Sequence, residues 1–88
     1  MYNKSTKGGN TMSDFFLDPK VVGEAIAHCR KEKNLSQEIV SGLADIGRTH
    51  LSALERGERK PTLETLYRLS IALDIKMSDI VREIEQRL

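Results

Sequence analysis

A run of polar side chains between positions 48 and 53 is suited to reading a flat surface that carries hydrogen-bonding groups. The run RTHLSA begins with Arg48 and Thr49, and Ser52 and Ala53 return to the same side one helical turn later. A guanidinium group can donate two parallel hydrogen bonds to neighbouring acceptors, such as O6 and N7 of guanine, while a small apolar side chain fits the methyl group of thymine. If a helix projects these residues outward, they predict non-covalent recognition of base edges in duplex DNA.

The surrounding segment, residues 35–57, predicts two short helices that would hold this run in place. It reads LSQEIVSGLADIGRTHLSALERG. Ser36 has the side chain of an N-cap for the first helix, and Gly47 stands just before the second helix. Gly57 suits the left-handed conformation that ends many helices. The short connection around Asp45 therefore predicts a helix-turn-helix, whose second helix can enter the major groove.

Three further helices complete the predicted domain, residues 18–88. An Asp-Pro pair opens the first helix at Asp18, a Pro-Thr pair opens the fourth at Pro61, and the last helix is expected from about Met77. Apolar side chains recur at intervals of three and four residues, as expected of amphipathic helices. We therefore predict an all-α, five-helix fold, preceded by a flexible polar tail over residues 1–17.

Composition limits the classes of protein that the chain could represent. The 88 residues carry a formal net charge of +1 and a single cysteine, Cys29. One cysteine cannot form an internal disulfide, and no apolar run approaches the roughly 18 residues of a membrane span, so we expect a cytoplasmic protein without membrane contact. The sequence shows no metal-ligand cluster, nucleophile–base pair or phosphate-binding glycine loop, which predicts a non-enzyme without a metal, a cofactor or a small-molecule ligand. Because the net charge is close to zero, DNA binding would require the positive side chains to lie on one face.

Two long segments resemble the Cro and lambda-repressor type of helix-turn-helix domain. VGEAIAHCRKEKNLSQE, residues 22–38, resembles the first helix of that family and the entry to its second helix. RTHLSALERGERKPTLETLYRLSIALDI, residues 48–75, resembles its recognition helix, the following loop and the fourth helix. The chain is also similar to the small controller proteins of restriction–modification systems, which share the arginine–threonine start of the recognition helix. The resemblance implies a lambda-repressor-like fold and a sequence-specific, DNA-binding transcriptional regulator.

The resemblance also implies roles for individual residues. The residues expected to face bases are Arg48, Thr49, Ser52 and Ala53, and those expected to contact the DNA backbone are Ser36, Gln37, His50, Arg56, Arg59 and Lys60. Arg30 and Glu55 correspond to an ion pair that ties the first helix to the end of the third. Their apolar neighbours Cys29 and Leu54 independently predict that both charges are partly buried and need a partner.

The apolar stripe of Ile80, Ile84 and Leu88 has two interpretations. It could pack inside the chain's own core, or it could form a two-fold interface with a second copy. The small size of the domain favours dimerisation through the last helix. A homodimer with its reading helices about 34 Å apart would bind a palindromic operator on one side of double-stranded DNA.

A second function class uses the same fold as a protein-interaction module. Ile39 and Leu43 occupy positions where the family commonly has polar side chains, so the second helix is either slightly rotated or in contact with a partner. The apolar cluster at residues 15–17 is expected to fold back on the core, but it offers a second possible contact surface. The alternative function is therefore that of an antitoxin-like protein that sequesters a protein partner.

Overall fold

The computed structural model describes residues 15–88, which form five helices. They are α1 (Pro19–Glu32), α2 (Gln37–Ala44), α3 (Arg48–Glu55), α4 (Leu63–Leu73) and α5 (Met77–Glu85). Residues 15–88 contain no β-strand, and the prediction of an all-α, five-helix fold is confirmed. Most of the predicted tail, residues 1–14, lies outside the described residues.

Three of the five helices, α1, α2 and α4, begin directly after a residue whose side chain caps them. The Asp18 carboxylate accepts a hydrogen bond of 2.9 Å from the Lys20 amide, and Pro19 occupies the first helical position. The Ser36 hydroxyl accepts from the Ile39 amide at 3.1 Å, and the Thr62 hydroxyl accepts from the Thr65 amide at 3.1 Å. Each bond satisfies an amide that has no partner within its own helix.

Left-handed residues end three of the helices and make the connections short. Asn34, Asp45 and Asp74 have φ values of 57°, 57° and 56° and follow α1, α2 and α4. Asparagine and aspartate tolerate this conformation better than other residues with a side chain. Asp45 therefore adopts the left-handed conformation that glycine commonly adopts in tight turns, and α3 begins only three residues later.

Glycine is required at two places where α1 meets the end of α3. A Cβ atom on Gly23 would lie 2.3 Å from the Leu54 carbonyl oxygen, so a larger residue would push the two helices apart. Gly57 has a φ of +78°, and a Cβ atom there would lie 2.6 Å from Cγ of Lys20. These two positions set the distance between α1 and α3.

One hydrophobic core joins all five helices. Its members are Val22, Ala25, Ile26, Cys29, Val40, Ala44, Leu51, Leu54, Leu69, Leu73, Ile80 and Ile84. The prediction that Ile80 and Ile84 line a dimer interface is therefore wrong, because they are 0% and 6% exposed within a single chain. Leu88, the third member of the stripe, remains exposed. Helix periodicity alone could not show whether the stripe packs within its own chain or against a partner.

Several apolar side chains lie outside this core. Ile39 and Leu43 are exposed on α2, while Val40 and Ala44 of the same helix are buried. On α4, Leu63, Tyr67 and Ile71 are exposed at intervals of four residues. The cluster at residues 15–17 is exposed as well, contrary to the expectation that it folds back on the core. None of the helices within residues 15–88 is long and apolar enough to cross a membrane.

Candidate nucleic-acid interface

The orientation of α3 decides whether its polar side chains can reach another molecule. Leu51 and Leu54 are completely buried and fix one side of the helix against the core. Arg48 and Thr49 lie on the other side and are exposed, and Ser52 is half-buried. Of the four residues predicted to read bases, Arg48 and Thr49 therefore project away from the body of the protein.

An ion pair with two flanking hydrogen bonds fixes the end of this helix. Arg30 donates to both carboxylate oxygens of Glu55, from Nε at 2.7 Å and from Nη2 at 2.9 Å. Arg30 also donates from Nη1 to the Leu35 carbonyl oxygen at 2.8 Å. The side-chain amide of Gln37 donates to Glu55 at 2.9 Å. The two charged side chains are only 12% and 7% exposed. The hydrogen bond to the Glu55 carboxylate raises the pKa of Arg30 above its ordinary value, so the guanidinium stays charged.

This network connects α1, the start of α2 and the end of α3, and so holds α3 at one angle. The predicted pairing of Arg30 with Glu55 is present in the structure. Gln37 was predicted to contact the DNA backbone, and its side-chain amide donates to Glu55. That bond gives Gln37 a positioning role that the sequence did not suggest.

Arg68 is a further positioning residue that sequence reasoning missed. From α4 it donates through Nη1 to the carbonyl oxygens of Asp45 at 3.2 Å and Ala44 at 3.4 Å, at the end of α2. Its Nε and Nη2 atoms donate to Glu64 at 3.3 and 3.1 Å. The spacing of Glu64 and Arg68 on one helix indicates a surface pair, but only the fold places Arg68 against the turn between α2 and α3.

Ser52 and Arg56 lie together on the exposed side at the end of α3. Nη1 of Arg56 donates to the Ser52 hydroxyl oxygen. Nε and Nη2 of Arg56 donate to the two carboxylate oxygens of Glu58, at 2.8 and 2.9 Å. This pair raises the pKa of Arg56 and lowers the pKa of Glu58, chiefly through the hydrogen bonds between them. The side chains of Arg56 and Glu58 are 53% and 57% exposed, so an approaching polyanion can reach the pair.

The rest of the predicted surface forms a shallow depression beside Arg59. Thr49, His50, Ala53 and Arg59 line it. Ala53 is only 9% exposed and offers a small apolar floor rather than a projecting contact. Lys60 lies just beyond, with its ammonium nitrogen 4.2 Å from the centre of the Phe16 ring, a cation–π contact. The structure thus places Arg56 and Arg59 beside the polar side of α3, whereas the contact of Lys60 is with Phe16.

The fold and this surface together define a helix-turn-helix DNA-binding domain. A family model described as helix-turn-helix matches residues 26–80. The chain belongs to this helix-turn-helix family of transcriptional regulators, and it is not an enzyme.

Relatives and solved structures agree with this assignment. The chain is 40% identical over 67 residues to the uncharacterised HTH-type transcriptional regulator y4dJ of Sinorhizobium fredii, which covers 76% of this chain and 87% of that protein. It is 37% identical over 65 residues to the control protein C.MunI of Mycoplasma sp., covering 73% and 88% of the two chains. The crystal structure of the restriction–modification controller protein C.AhdI from Aeromonas hydrophila superimposes with a TM-score of 0.70 and 31% identity, over 74% of this chain and 98% of that one. The similarity to controller proteins that the recognition-helix residues indicated is confirmed.

Proposed function

We propose that this protein is a sequence-specific transcriptional regulator that binds a palindromic operator as a homodimer in the cytoplasm. The observation that carries the proposal is the outward polar side of α3, since Arg48 and Thr49 are exposed while Leu51 and Leu54 are buried. A helix held in this way can enter the major groove with its first residues towards the base edges. The similarity to proteins named as controllers of restriction–modification systems supports the same function.

The proposed contacts divide into base-reading contacts and backbone contacts. Arg48 reads guanine and Thr49 hydrogen-bonds a neighbouring base, while Ser52 and Ala53 limit which base pairs fit against the helix. Backbone contacts come from the start of α2, from α3 itself and from the loop after α3, and they supply the part of the affinity that does not depend on sequence. The residues proposed for them are Ser36, Gln37, His50, Arg56, Arg59 and Lys60.

The proposed homodimer needs an interface other than the buried stripe of α5. Leu63, Tyr67 and Ile71 form an exposed apolar row along one side of α4, and we assign the two-fold contact to this row together with Leu88. Contiguous apolar surface of this kind is typical of interaction sites. In a two-fold contact the same row serves both copies, so a single substitution is present twice in the interface.

Selection of DNA fragments from a random pool tests the proposal directly. We expect the enriched fragments to share two inverted half-sites whose centres lie about 34 Å, one helical turn, apart. Enrichment of a single unrepeated site would contradict the two-fold arrangement, and the absence of any shared sequence would overturn the proposed function.

A second candidate function is that of a protein-interaction module. The exposed pair Ile39 and Leu43 on α2 favours it, because these apolar side chains have no role in the proposed DNA contact. If this were the principal function, a stable complex with a protein partner would survive Arg48→Ala and be lost on Leu43→Arg. The opposite pattern, operator binding weakened by Arg48→Ala and unchanged by Leu43→Arg, supports the regulator.

A further inference from the structure

Four charged residues follow α3 closely: Arg56, Glu58, Arg59 and Lys60. Their charges are not equally available to bind a DNA phosphate. Arg56 is paired with Glu58 through two hydrogen bonds, and Lys60 lies over the ring of Phe16. Arg59, by contrast, lines the depression beside the reading helix. The Arg56–Glu58 pair is neutral as a unit, so it adds little to the field that attracts a phosphate.

Arg56 has a second partner, and this partner belongs to the reading helix. Nη1 of Arg56 donates to the hydroxyl oxygen of Ser52, one turn earlier. A serine hydroxyl has two lone pairs and one hydrogen, so a bond accepted from Arg56 leaves its O–H to donate outward. The guanidinium therefore orients Ser52 as a donor, which suits acceptors such as O6 and N7 of guanine or O4 of thymine.

Glu58 determines whether Arg56 supports Ser52 or is free to bind a DNA phosphate. While the carboxylate occupies the Nε–Nη2 edge, the guanidinium remains beside α3 and supports Ser52. A DNA phosphate competes with Glu58 for that same edge, because both anions bind a guanidinium through two parallel hydrogen bonds. A contact that Arg56 makes with a phosphate through this edge is independent of sequence, and Glu58 then no longer holds the guanidinium beside Ser52.

We propose that Glu58 is a specificity-determining residue, which keeps Arg56 in the base-reading surface and withholds one phosphate contact from non-specific DNA binding. This inference rests on the proposed function, since it assumes that α3 reads an operator. It assigns a role in DNA recognition to a carboxylate, a group that DNA would ordinarily repel. Glu58 acts through Arg56 and is a positioning residue rather than a DNA contact.

The test is Glu58→Gln, which keeps the size of the side chain and removes its charge. Binding is measured to the selected operator and to a scrambled duplex of the same length, over a range of salt concentrations. We expect affinity for the scrambled duplex to rise about threefold at low salt, and the slope of log K against log salt to steepen by about 0.9, the value for one added phosphate contact. Affinity for the operator stays close to the wild-type value, so the ratio of operator affinity to scrambled affinity falls about threefold.

Two controls separate this role from general charge repulsion. Glu85→Gln makes the same change of charge at an exposed position on α5 and should leave the ratio of affinities unaltered. In an Arg56→Ala background, Glu58→Gln should no longer steepen the salt dependence, because the arginine that it releases is absent. A gain that persists in that background, or an equal gain for operator and scrambled duplex, overturns the inference.

The inference and the proposed function fail in different ways. If the wild-type protein selects an operator but Glu58→Gln leaves the salt slope and the ratio unchanged, the role of Glu58 is wrong and the regulator stands. If the wild-type protein binds operator and scrambled duplex equally, the proposed function itself is wrong.

Discussion

At the scale of single residues, the structure separates side chains that can read DNA from side chains that place them. Arg48 and Thr49 are exposed at the start of α3. At its far end, Arg30 and Gln37 both donate hydrogen bonds to Glu55. Both groups are polar and both belong to the helix-turn-helix region, so residue type alone does not distinguish them. Burial and hydrogen-bond partners do.

The first prediction concerns Arg48. Arg48→Ala should weaken operator binding by about 1–3 kcal/mol and relax the preference at one base pair in each half-site, because a guanidinium that spans two acceptors of guanine has no replacement in alanine. Affinities for the operator and for a set of single-base variants, measured by fluorescence anisotropy, check this. If all variants weaken by the same factor, Arg48 is a backbone contact and not a base contact.

Lys60 provides the matched comparison in the loop after α3. Lys60→Ala should weaken binding to every sequence alike and reduce the salt slope by about 0.9, since a point charge near a phosphate carries no sequence information. A loss confined to the operator in the same anisotropy series would instead make Lys60 a reader of sequence.

At the scale of elements, the angle of α3 depends on contacts at both of its ends. The Arg30–Glu55 pair holds its end against α1, and Arg68 of α4 holds the turn that precedes it. Gly23 permits the close approach of α1 to the carbonyl of Leu54. Helix α3 is only 8 residues long, and isolated helices of that length are unstable in water. The helix therefore depends on these contacts and on its two buried leucines for its stability as well as for its direction.

The third prediction tests this anchoring. Arg30→Ala should lower the free energy of unfolding by about 3 kcal/mol, because it leaves the buried carboxylate of Glu55 with only the amide of Gln37. Arg82→Ala removes an arginine from an exposed pair with Asp79 on α5 and should cost less than about 1 kcal/mol. Urea unfolding of the two variants gives the comparison. Equal losses would show that the Arg30 pair contributes no more than a surface pair.

The caps and turns were predictable from sequence because they are local. Asp18, Ser36 and Gly57 act on amides and carbonyls within a few residues, and each behaves as its residue type predicts. The environment of Ile80 was not predictable, since the same periodic stripe fits a core and an interface equally well. The Glu58–Arg56–Ser52 contact was also missed, because a charged loop next to a helix ordinarily indicates a solvated surface.

At the scale of the whole molecule, apolar surface remains that the five-helix core does not cover. The exposed row on α4 and the exposed pair on α2 are separate candidates for contact with another chain. The net charge of +1 gives the molecule little general attraction for DNA, so two copies on one operator are an effective way to gain affinity. Which apolar surface joins the two copies of the proposed homodimer therefore bears directly on how it would bind an operator.

The last prediction distinguishes the two surfaces. Tyr67→Arg places a charge at the centre of the row on α4, so in a two-fold contact two like charges are buried near each other, and the dimer should dissociate to monomers. Leu43→Arg makes the same kind of change at an exposed position on α2 and should leave the dimer intact. Sedimentation equilibrium of both variants measures the association, and circular dichroism confirms that each retains its helices.

The Tyr67 variant should also bind a single half-site as weakly as wild type does, since α3 is untouched, while losing most of its affinity for the full operator. If Tyr67→Arg remains dimeric and Leu43→Arg does not, the second copy binds through α2, and the row on α4 is free for a different partner.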